Sequence, residues 1–179
     1  MSNKDKDVKV KDFIINNSKP FTLIAGPCVI ENLDHALKTA NKINDICNSL
    51  GLNFIYKSSF DKANRTSMNS SRGPGIHESL EIFNQVKDKI GCPIITDVHE
   101  KEQIDILTKV VDVIQIPAFL CRQTDLLIEA AKSNLPIMVK KGQFLAPWDM
   151  KNVVDKLNQN GDGGVLICER GVSFGYNTL

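Results

Sequence analysis

Short apolar segments alternate with amphipathic helical patterns along most of this chain. Six such segments, each four or five residues long, are separated by stretches in which apolar residues recur three or four positions apart. Strands that are apolar on both faces and separated by helices are typical of a parallel sheet covered on both sides. The predicted strands are Phe21–Ala25, Phe54–Lys57, Ile94–Asp97, Val113–Ile116, Ile137–Lys140 and Val165–Cys168.

Polar residues end or closely follow nearly every predicted strand. They are Lys57, Asp97, Gln115, Lys140 and Glu169–Arg170. In a (β/α)8 barrel the carboxyl ends of all strands meet at one mouth, where barrel active sites lie. A doubly wound open sheet places its ligand at one switch point instead, and no glycine-rich phosphate loop follows any of these strands. The pattern therefore favours the barrel.

The number of strand–helix units is lower than a barrel requires. We count about six, whereas a (β/α)8 barrel has eight strands in about 250 residues. We therefore expect an incomplete barrel, with an N-terminal extension and hairpin over residues 1–20 and a partial barrel domain over residues 21–179. An unclosed barrel leaves apolar strand edges unpaired, so a C-terminally truncated copy of a longer protein explains the pattern better than an open arc.

Short polar residues and glycines mark the expected ends of the helices. Asn32 is predicted to cap the first helix, and Gly51 to end it. Thr124 is predicted to cap the helix after the fourth main strand. Gly161 is predicted to end the last helix, which precedes the final strand.

Composition excludes several classes of partner. The net charge is +1, so no overall field attracts nucleic acid or an anionic membrane. No stretch approaches the roughly 20 apolar residues of a membrane span, and the N-terminus lacks a signal core. Five cysteines without paired spacing suit reduced thiols. We expect a cytoplasmic protein that binds small molecules.

The loop Lys57–Ser67 is rich in cations and hydroxyls. Lysine binds phosphate as a compact charge, and arginine presents a planar fork of donors. By itself the loop is equally well explained as a solvated basic segment. Together with Lys140 and Arg170 at later strand ends, its cations suggest a site for two anionic groups side by side.

Two strand-end residues admit more than one role. Lys140 is a candidate Schiff-base lysine, because a desolvated lysine among cations loses its proton more easily. That alternative is weaker, because Lys141 and the other strand-end cations look arranged to hold anions. Asp97 is expected to orient a sugar hydroxyl or act as a base, and a structural carboxylate paired with lysine is nearly as good an interpretation.

Other residues near the presumed mouth carry weaker signals. A lone cysteine such as Cys28 is more often a small core residue than a ligand. His99 and Glu100 are conceivable metal ligands, but a surface or helix-cap role is the safer expectation. Backbone amides after Pro117 can point at an anion. Phe119 and Phe174 are expected either to wall the pocket or to belong to the core.

Eight short motifs occur together from about residue 21 to the end of the chain. They are Ile24–Cys28, Lys57–Ser67, Arg72–Gly75, Ile95–Glu100, Gln115–Leu120, Cys121–Asp125, Val139–Lys141 and Glu169–Gly171. Taken together they resemble the 3-deoxy-D-manno-octulosonate-8-phosphate synthase family. The resemblance implies a (β/α)8 barrel transferase that condenses phosphoenolpyruvate with D-arabinose 5-phosphate, releases phosphate and supplies lipopolysaccharide biosynthesis.

The resemblance also implies roles for matching residues. The phosphoenolpyruvate site would comprise Lys57, Lys62, Gln115, Ala118, Lys140 and Arg170. The arabinose 5-phosphate site would comprise Asn64, Arg65, Thr66, Asp97 and Arg122. Lys62, Asp97 and Lys140 would be the catalytic residues. Arg122 would reach the sugar phosphate of a neighbouring subunit, so its role implies a homotetramer.

Cys28 gains significance from the resemblance. The family has metal-dependent members with cysteine at this position and metal-independent members with asparagine, so a zinc, iron or manganese-type ion is expected here. The family's other ligands, a histidine, a glutamate and an aspartate, lie on later strands that this sequence lacks. We therefore expect an incomplete metal site and little or no activity from this chain, as from an inactive fragment.

A sister enzyme is the nearest alternative. The 3-deoxy-arabino-heptulosonate-7-phosphate synthases use erythrose 4-phosphate and usually carry Lys-Pro-Arg-Thr-Ser where this chain has Lys62–Ser67. The additional Ala63 and Asn64 favour the five-carbon sugar.

Overall fold

The computed structural model describes residues 6–173, which form five helices and eight strands. The strands are β1 Val8–Val10, β2 Phe13–Ile15, β3 Thr22–Ala25, β4 Asn53–Lys57, β5 Ile94–Asp97, β6 Val113–Ile116, β7 Ile137–Lys140 and β8 Val165–Cys168. The helices are α1 Leu33–Leu50, α2 Ile76–Ile90, α3 Ile104–Leu107, α4 Thr124–Lys132 and α5 Met150–Asn158.

The six strands from β3 to β8 form one parallel sheet in sequence order. Each strand bonds the next one along the chain, and the sheet curls into a half-barrel. The fold prediction of an incomplete (β/α)8 barrel with about six units is therefore confirmed. The carboxyl ends of all six strands lie at one end of the half-barrel, which is where the polar strand-end residues converge.

Two cores lie on opposite faces of the sheet. Within β4, Phe54 and Tyr56 pack outward against the helices, whereas Ile55 points into the half-barrel. The same alternation in the neighbouring strands reflects the two-residue period of a strand. The inner core consists of Val10, Ile55, Ile95, Val113 and Met138. Both faces are therefore buried, which explains the nearly continuous apolar strands.

The predicted hairpin is confirmed and closes one end of the half-barrel. β1 and β2 pair antiparallel, with Val8 opposite Ile15. Val10 is 1% exposed and belongs to the inner core, where Phe13 and Ile15 also pack. Because the hairpin lies at the amino ends of the strands, the carboxyl ends remain open.

The ends of α1 are as predicted, but two other helix ends are not. The side chain of Asn32 accepts a hydrogen bond of 2.9 Å from the His35 amide, and Gly51 ends the helix with φ 66°. The prediction for Thr124 was wrong: it is the first helical residue of α4, and its hydroxyl lies 2.6 Å from Lys156 Nζ. Helix α5 ends at Asn158, before Gly161.

Gly161 has a different role from the predicted one. A Cβ at this position would lie 1.9 Å from the Ala131 carbonyl oxygen. The glycine therefore allows the loop after α5 to approach the end of α4 closely.

Helix α3 is a single turn, and its residues Ile104 and Leu107 are buried, as is Val110 after it. The cysteines are free thiols, as their spacing predicted. Among the helices of residues 6–173, none has the length and hydropathy to cross a membrane.

Candidate active site

A cavity of about 360 Å³ opens at the carboxyl end of the half-barrel. Segments that follow five consecutive strands, from β4 to β8, contribute to its walls. The lining residues are Lys62, Ala63, Asn64, Asp97, His99, Glu100, Gln115, Pro117, Ala118, Phe119, Leu120, Lys140 and Arg170. The sequence pattern at the strand ends predicted a common mouth, and the curled sheet provides it.

The cavity brings together seven of the residues singled out from the sequence. They are Lys62, Asn64, Asp97, Gln115, Ala118, Lys140 and Arg170. Gln115 and Ala118 lie on either side of Pro117, in β6 and in the 3₁₀ turn Ala118–Leu120 that follows it. Phe119, 59% exposed, forms an apolar part of the wall. Phe174 lies outside the described residues.

Three cations of the cavity have no carboxylate partner in residues 6–173. Lys62 and Arg170 follow β4 and β8, and Lys140 is the last residue of β7. None of the three forms an ion pair with a described acidic residue. Cations that share a cavity repel one another, so such an arrangement is favourable mainly when an anion occupies the space between them. The electrostatics of the cavity therefore match an anionic small molecule.

Ser59 connects two of the predicted lysines. Its hydroxyl oxygen accepts hydrogen bonds from Lys57 Nζ at 3.1 Å and from Lys62 Nζ at 2.8 Å. Ser59 is fully buried and is held by a parallel bridge to Val29. Sequence reasoning treated it only as one hydroxyl of a basic loop. Its position between two lysines, two residues after one and three before the other, is the signal that was available.

Lys57 lies behind the cavity wall rather than in it. Burial, together with the positive charges of Lys62 and Lys140, lowers the pKa of its ammonium group to about 8. The opposite charge of Asp97 acts against this shift without cancelling it. A bound negative charge would raise this pKa, so that Lys57 takes up a proton and adds a positive charge beside the anion.

Asp97 remains a carboxylate at neutral pH. Burial raises its pKa, but hydrogen bonding from His99 and Ser59 and the charge of Lys57 outweigh this effect and lower the pKa to about 2. Such a group is a weak proton acceptor near pH 7 and a strong acceptor of hydrogen bonds. Of the two roles predicted for Asp97, orienting a hydroxyl fits the electrostatics better than general base.

His99 is a cavity residue to which the sequence interpretation assigned no part in substrate binding. Its Nε2 lies 3.2 Å from Asp97 Oδ2, and its ring packs edge-on against Phe60 with the ring centroids 5.4 Å apart. A surface role was expected, whereas the ring lines the cavity. The spacing of two residues from Asp97 is the sequence signal for a shared side. Glu100 does have the expected capping role, at the 3₁₀ turn Lys101–Gln103.

Three predicted sugar-phosphate residues do not line the cavity. Arg65 donates from Nε to the Ser71 carbonyl at 3.2 Å, and Thr66 lies in the same exposed loop. Arg122 lines two surface clefts, one of about 310 Å³ with Asn152 and Lys156 among its walls, and one of about 610 Å³ that shares His99, Glu100 and Leu120 with the cavity. This chain therefore does not itself bring Arg122 to the cavity that holds Lys140 and Asp97.

Cys28 is exposed and electrostatically activated. Partial burial raises the pKa of its thiol, but a hydrogen bond with Lys62 and the charges of Lys62, Lys57 and Arg65 together lower it below its ordinary value. The described part of the chain contains no group of three histidine, cysteine, aspartate or glutamate side chains that fits a metal ion. The surrounding cations also oppose a dication. These residues alone do not form a metal centre.

Lys141 does not belong to the anion site, although the sequence suggested that it might. Its side chain is 1% exposed, and its Nζ donates to backbone carbonyls. Neighbouring residues at a strand end point in opposite directions. Lys140 takes the direction of the cavity, so Lys141 turns away from it.

Comparison with known proteins adds a family and close relatives. A model of the DAHP synthetase I family matches residues 3–179. A protein of Bartonella henselae, named 2-dehydro-3-deoxyphosphooctonate aldolase, is 55% identical over 179 residues. Proteins of the same name from Agrobacterium fabrum and Brucella anthropi are 58% identical over 163 residues and 53% identical over 179 residues.

These relatives are longer than the chain described here. The matches cover 100% of this chain for the Bartonella henselae and Brucella anthropi proteins, and 91% for the Agrobacterium fabrum protein. They cover 64%, 65% and 58% of those relatives.

Proposed function

Because the chain belongs to the DAHP synthetase I family, we propose that its cavity binds phosphoenolpyruvate and D-arabinose 5-phosphate. The proposed reaction condenses these substrates with water to give 3-deoxy-D-manno-octulosonate 8-phosphate and phosphate. The product's use in lipopolysaccharide biosynthesis is part of the same proposal. The observation that carries it is the convergence of Lys62, Lys140 and Arg170, without carboxylate partners among residues 6–173, around the hydrogen-bond acceptor Asp97.

The proposed chemistry brings two phosphorylated molecules together. Carbon 3 of phosphoenolpyruvate bonds to the aldehyde carbon of the sugar, and the aldehyde oxygen takes a proton to become a hydroxyl. Water adds to carbon 2 and loses a proton, which leaves a hydroxyl there. The bond from carbon 2 to the phosphate oxygen then breaks, and the hydroxyl gives its proton to the departing phosphate and becomes the ketone. Positive charge develops at carbon 2 before water adds.

The residues of the cavity suit the demands of this reaction. Lys62, Lys140 and Arg170 would hold the phosphate and carboxylate of phosphoenolpyruvate and offset repulsion between the two substrates. Lys57 would reinforce them once an anion restores its protonation. Asp97 would accept a hydrogen bond from a sugar hydroxyl, with His99 fixing the orientation of the carboxylate.

Erythrose 4-phosphate is the competing sugar, as for the sister synthase. Ala63 and Asn64 both line the cavity, and they replace a single proline of the sister pattern. The extra residue gives the wall an amide side chain that can bond a sugar hydroxyl or phosphate. This feature favours the five-carbon sugar.

Calorimetric titration with phosphoenolpyruvate tests the binding proposal directly. We expect saturable binding to the wild-type chain and a large loss of affinity in Lys140→Met. Lys151→Met is the matched control, because the Lys151 side chain is exposed on the surface of α5 and pairs with Asp155. Failure of phosphoenolpyruvate to bind at millimolar concentration would reject the proposal.

Phosphate release in the presence of each aldose tests the reaction. Faster release with D-arabinose 5-phosphate than with erythrose 4-phosphate is the expected result, and the reverse order would identify the sister activity. Binding without any release would match the alternative of a catalytically inactive fragment.

Metal, assembly and compartment belong to the same proposal. The exposed Cys28 thiol with its lowered pKa supports a bound divalent ion, which would need anionic ligands beyond the described set to offset the neighbouring cations. Metal analysis of the purified chain and of Cys28→Asn tests this. Arg122 does not line the cavity of its own chain, which supports a homo-oligomer, a tetramer by resemblance, in which it serves a neighbour. Free thiols support a cytoplasmic location.

A further inference from the structure

Lys141 is a fully buried cation that the proposed reaction does not use. Its Nζ donates hydrogen bonds to the carbonyls of Gly142 at 3.2 Å, Leu145 at 2.9 Å and Gly171 at 2.8 Å. The side chain is 1% exposed. An ammonium group has three donors, and here each has a carbonyl acceptor. The side chain is therefore satisfied by backbone rather than by a ligand.

The three acceptors belong to two different segments. Gly142 and Leu145 follow β7, whereas Gly171 follows β8. The carboxylate of Glu169 lies 3.4 Å from Lys141 Nζ, and its Oε1 accepts hydrogen bonds from the amides of Arg170 and Gly171 at 2.9 and 2.7 Å. One ammonium group thus joins both segments and also neutralises the carboxylate that shapes the second one.

The choice of lysine at this position has a physical consequence. Burying an ammonium group is strongly unfavourable unless it is hydrogen-bonded and paired. An apolar side chain in its place would leave carbonyl groups of both segments without donors. Backbone bonds between the two segments also exist, from the Lys141 amide to Cys168 and from the Ser173 amide to Gln143. The Lys141 side chain adds a further connection between the two segments, through the carbonyls of Leu145 and Gly171.

Two cavity cations are directly connected to this contact. Lys140 precedes Lys141 in the chain, and Arg170 precedes Gly171, whose carbonyl Lys141 holds. We propose that Lys141 is a positioning residue that clamps the segment after β7 to the segment after β8 and thereby sets the separation of Lys140 and Arg170. The functional part of this inference rests on the proposed binding of phosphoenolpyruvate.

A ligand with two anionic groups is sensitive to that separation. Phosphoenolpyruvate carries a carboxylate and a phosphate, and both Lys140 and Arg170 are assigned to it. Inorganic phosphate has one anionic centre and can follow either cation when the two move apart. Loss of the clamp is therefore expected to lower the affinity for phosphoenolpyruvate more than the affinity for phosphate. A general loss of structure would lower both affinities to the same extent.

The test compares Lys141→Met with Lys151→Met, the exposed control on α5. Calorimetry should show a fall of roughly tenfold or more in phosphoenolpyruvate affinity for Lys141→Met, with phosphate affinity within about threefold of wild type. Amide hydrogen exchange should accelerate in residues 142–145 and 169–173 and remain unchanged in residues 94–97. The control should match wild type in every measurement.

Separate results identify each possible failure. The proposed clamp would be rejected if folded Lys141→Met kept wild-type amide exchange rates in both segments. It would also be rejected if the affinities for phosphoenolpyruvate and phosphate fell equally. If wild type binds no phosphoenolpyruvate, the proposed function fails, and exchange alone judges the clamp. If Lys141→Met does not fold, Glu169→Ala replaces it, because this half-exposed side chain holds the amides of Arg170 and Gly171. Its exchange should accelerate in residues 169–173, and wild-type exchange there would overturn the clamp.

Discussion

Single side chains decide how cations can coexist in the cavity. Ser59 offers one oxygen to two ammonium groups, from Lys57 and Lys62, and it is buried where water cannot replace it. A hydroxyl has two acceptor positions, and both are used. The lysines therefore stay close to each other in the absence of a ligand. Binding of an anion would reduce the repulsion between these two ammonium groups.

Replacing Ser59 with alanine should lower the affinity for phosphoenolpyruvate about tenfold. Two partly buried ammonium groups lose their acceptor, which costs on the order of 1–3 kcal/mol, and 1.4 kcal/mol corresponds to a factor of ten. Calorimetric titration measures the change. Ser49→Ala is the control, since that hydroxyl only bonds the Ile46 carbonyl near the exposed end of α1. Wild-type affinity in Ser59→Ala would contradict the role assigned to the shared oxygen.

Phosphoenolpyruvate affinity should fall as pH rises through about 8. Burial lowers the pKa of Lys57 to about 8, so the free protein loses this charge above that pH, and binding must then supply a proton. The expected decline approaches roughly tenfold per pH unit for one linked proton. Asp97→Asn removes a negative charge that raises the pKa of Lys57, so the phosphoenolpyruvate affinity of this variant should begin to fall at lower pH. Calorimetry between pH 6.5 and 9.5, at about half-unit steps, measures both proteins.

The same group affects the stability of the ligand-free protein with the opposite sign. Between about 8 and 10.5, the ordinary value for lysine, the unfolded chain binds a proton at Lys57 that the folded chain does not. The contribution of this group to the free energy of unfolding therefore rises with pH across that window.

The affinity measurement can contradict both statements. A phosphoenolpyruvate affinity that stays constant from pH 7 to 9 would show that Lys57 keeps its charge.

At the scale of elements, the strands were predictable and several contacts between elements were not. The bounds of β5, β6, β7 and β8 follow from short apolar runs with polar residues at their ends, and the mouth follows from their common direction. Thr124 and Gly161 were misinterpreted because their partners, Lys156 and Ala131, are about thirty residues away in the chain. Lys140 and Lys141 look alike in sequence, and only the two-residue strand period separates their roles.

Gly161→Ala should destabilise the chain by about 1–3 kcal/mol. The added Cβ would meet the Ala131 carbonyl oxygen at 1.9 Å, and both atoms lie on backbone that can move only by shifting α4 or the loop before β8. Chemical denaturation measures the free energy of unfolding. Asn158→Ala, at the exposed end of α5, should stay within about 0.5 kcal/mol of wild type. Equal stability of the two variants would show that the loop relaxes freely.

At the scale of the whole fold, residues 6–173 form a half-barrel with one closed end and two sheet edges. The hairpin seals the inner core at the amino ends of the strands, and the cavity occupies the carboxyl ends. Within residues 6–173, β3 and β8 each bond only one neighbouring strand. The outer core continues under both edge strands, because Leu23 and Val165 pack against it. The same curled sheet therefore accounts for both the open cavity at its carboxyl end and the exposed strands at its two edges.

Exposed sheet edges make association at high concentration the expected behaviour of this chain. Ile167 in β8 is 41% exposed beside backbone groups that have no strand partner in the described residues. A lysine there would charge the edge and oppose pairing with another chain, as natural edge strands do. Light scattering at increasing concentration should show slower growth of large species for Ile167→Lys than for wild type. Ile46→Lys, at 47% exposure on α1, should behave like wild type, because a helix face offers no backbone to pair with. Equal growth in all three proteins would place the association elsewhere on the surface.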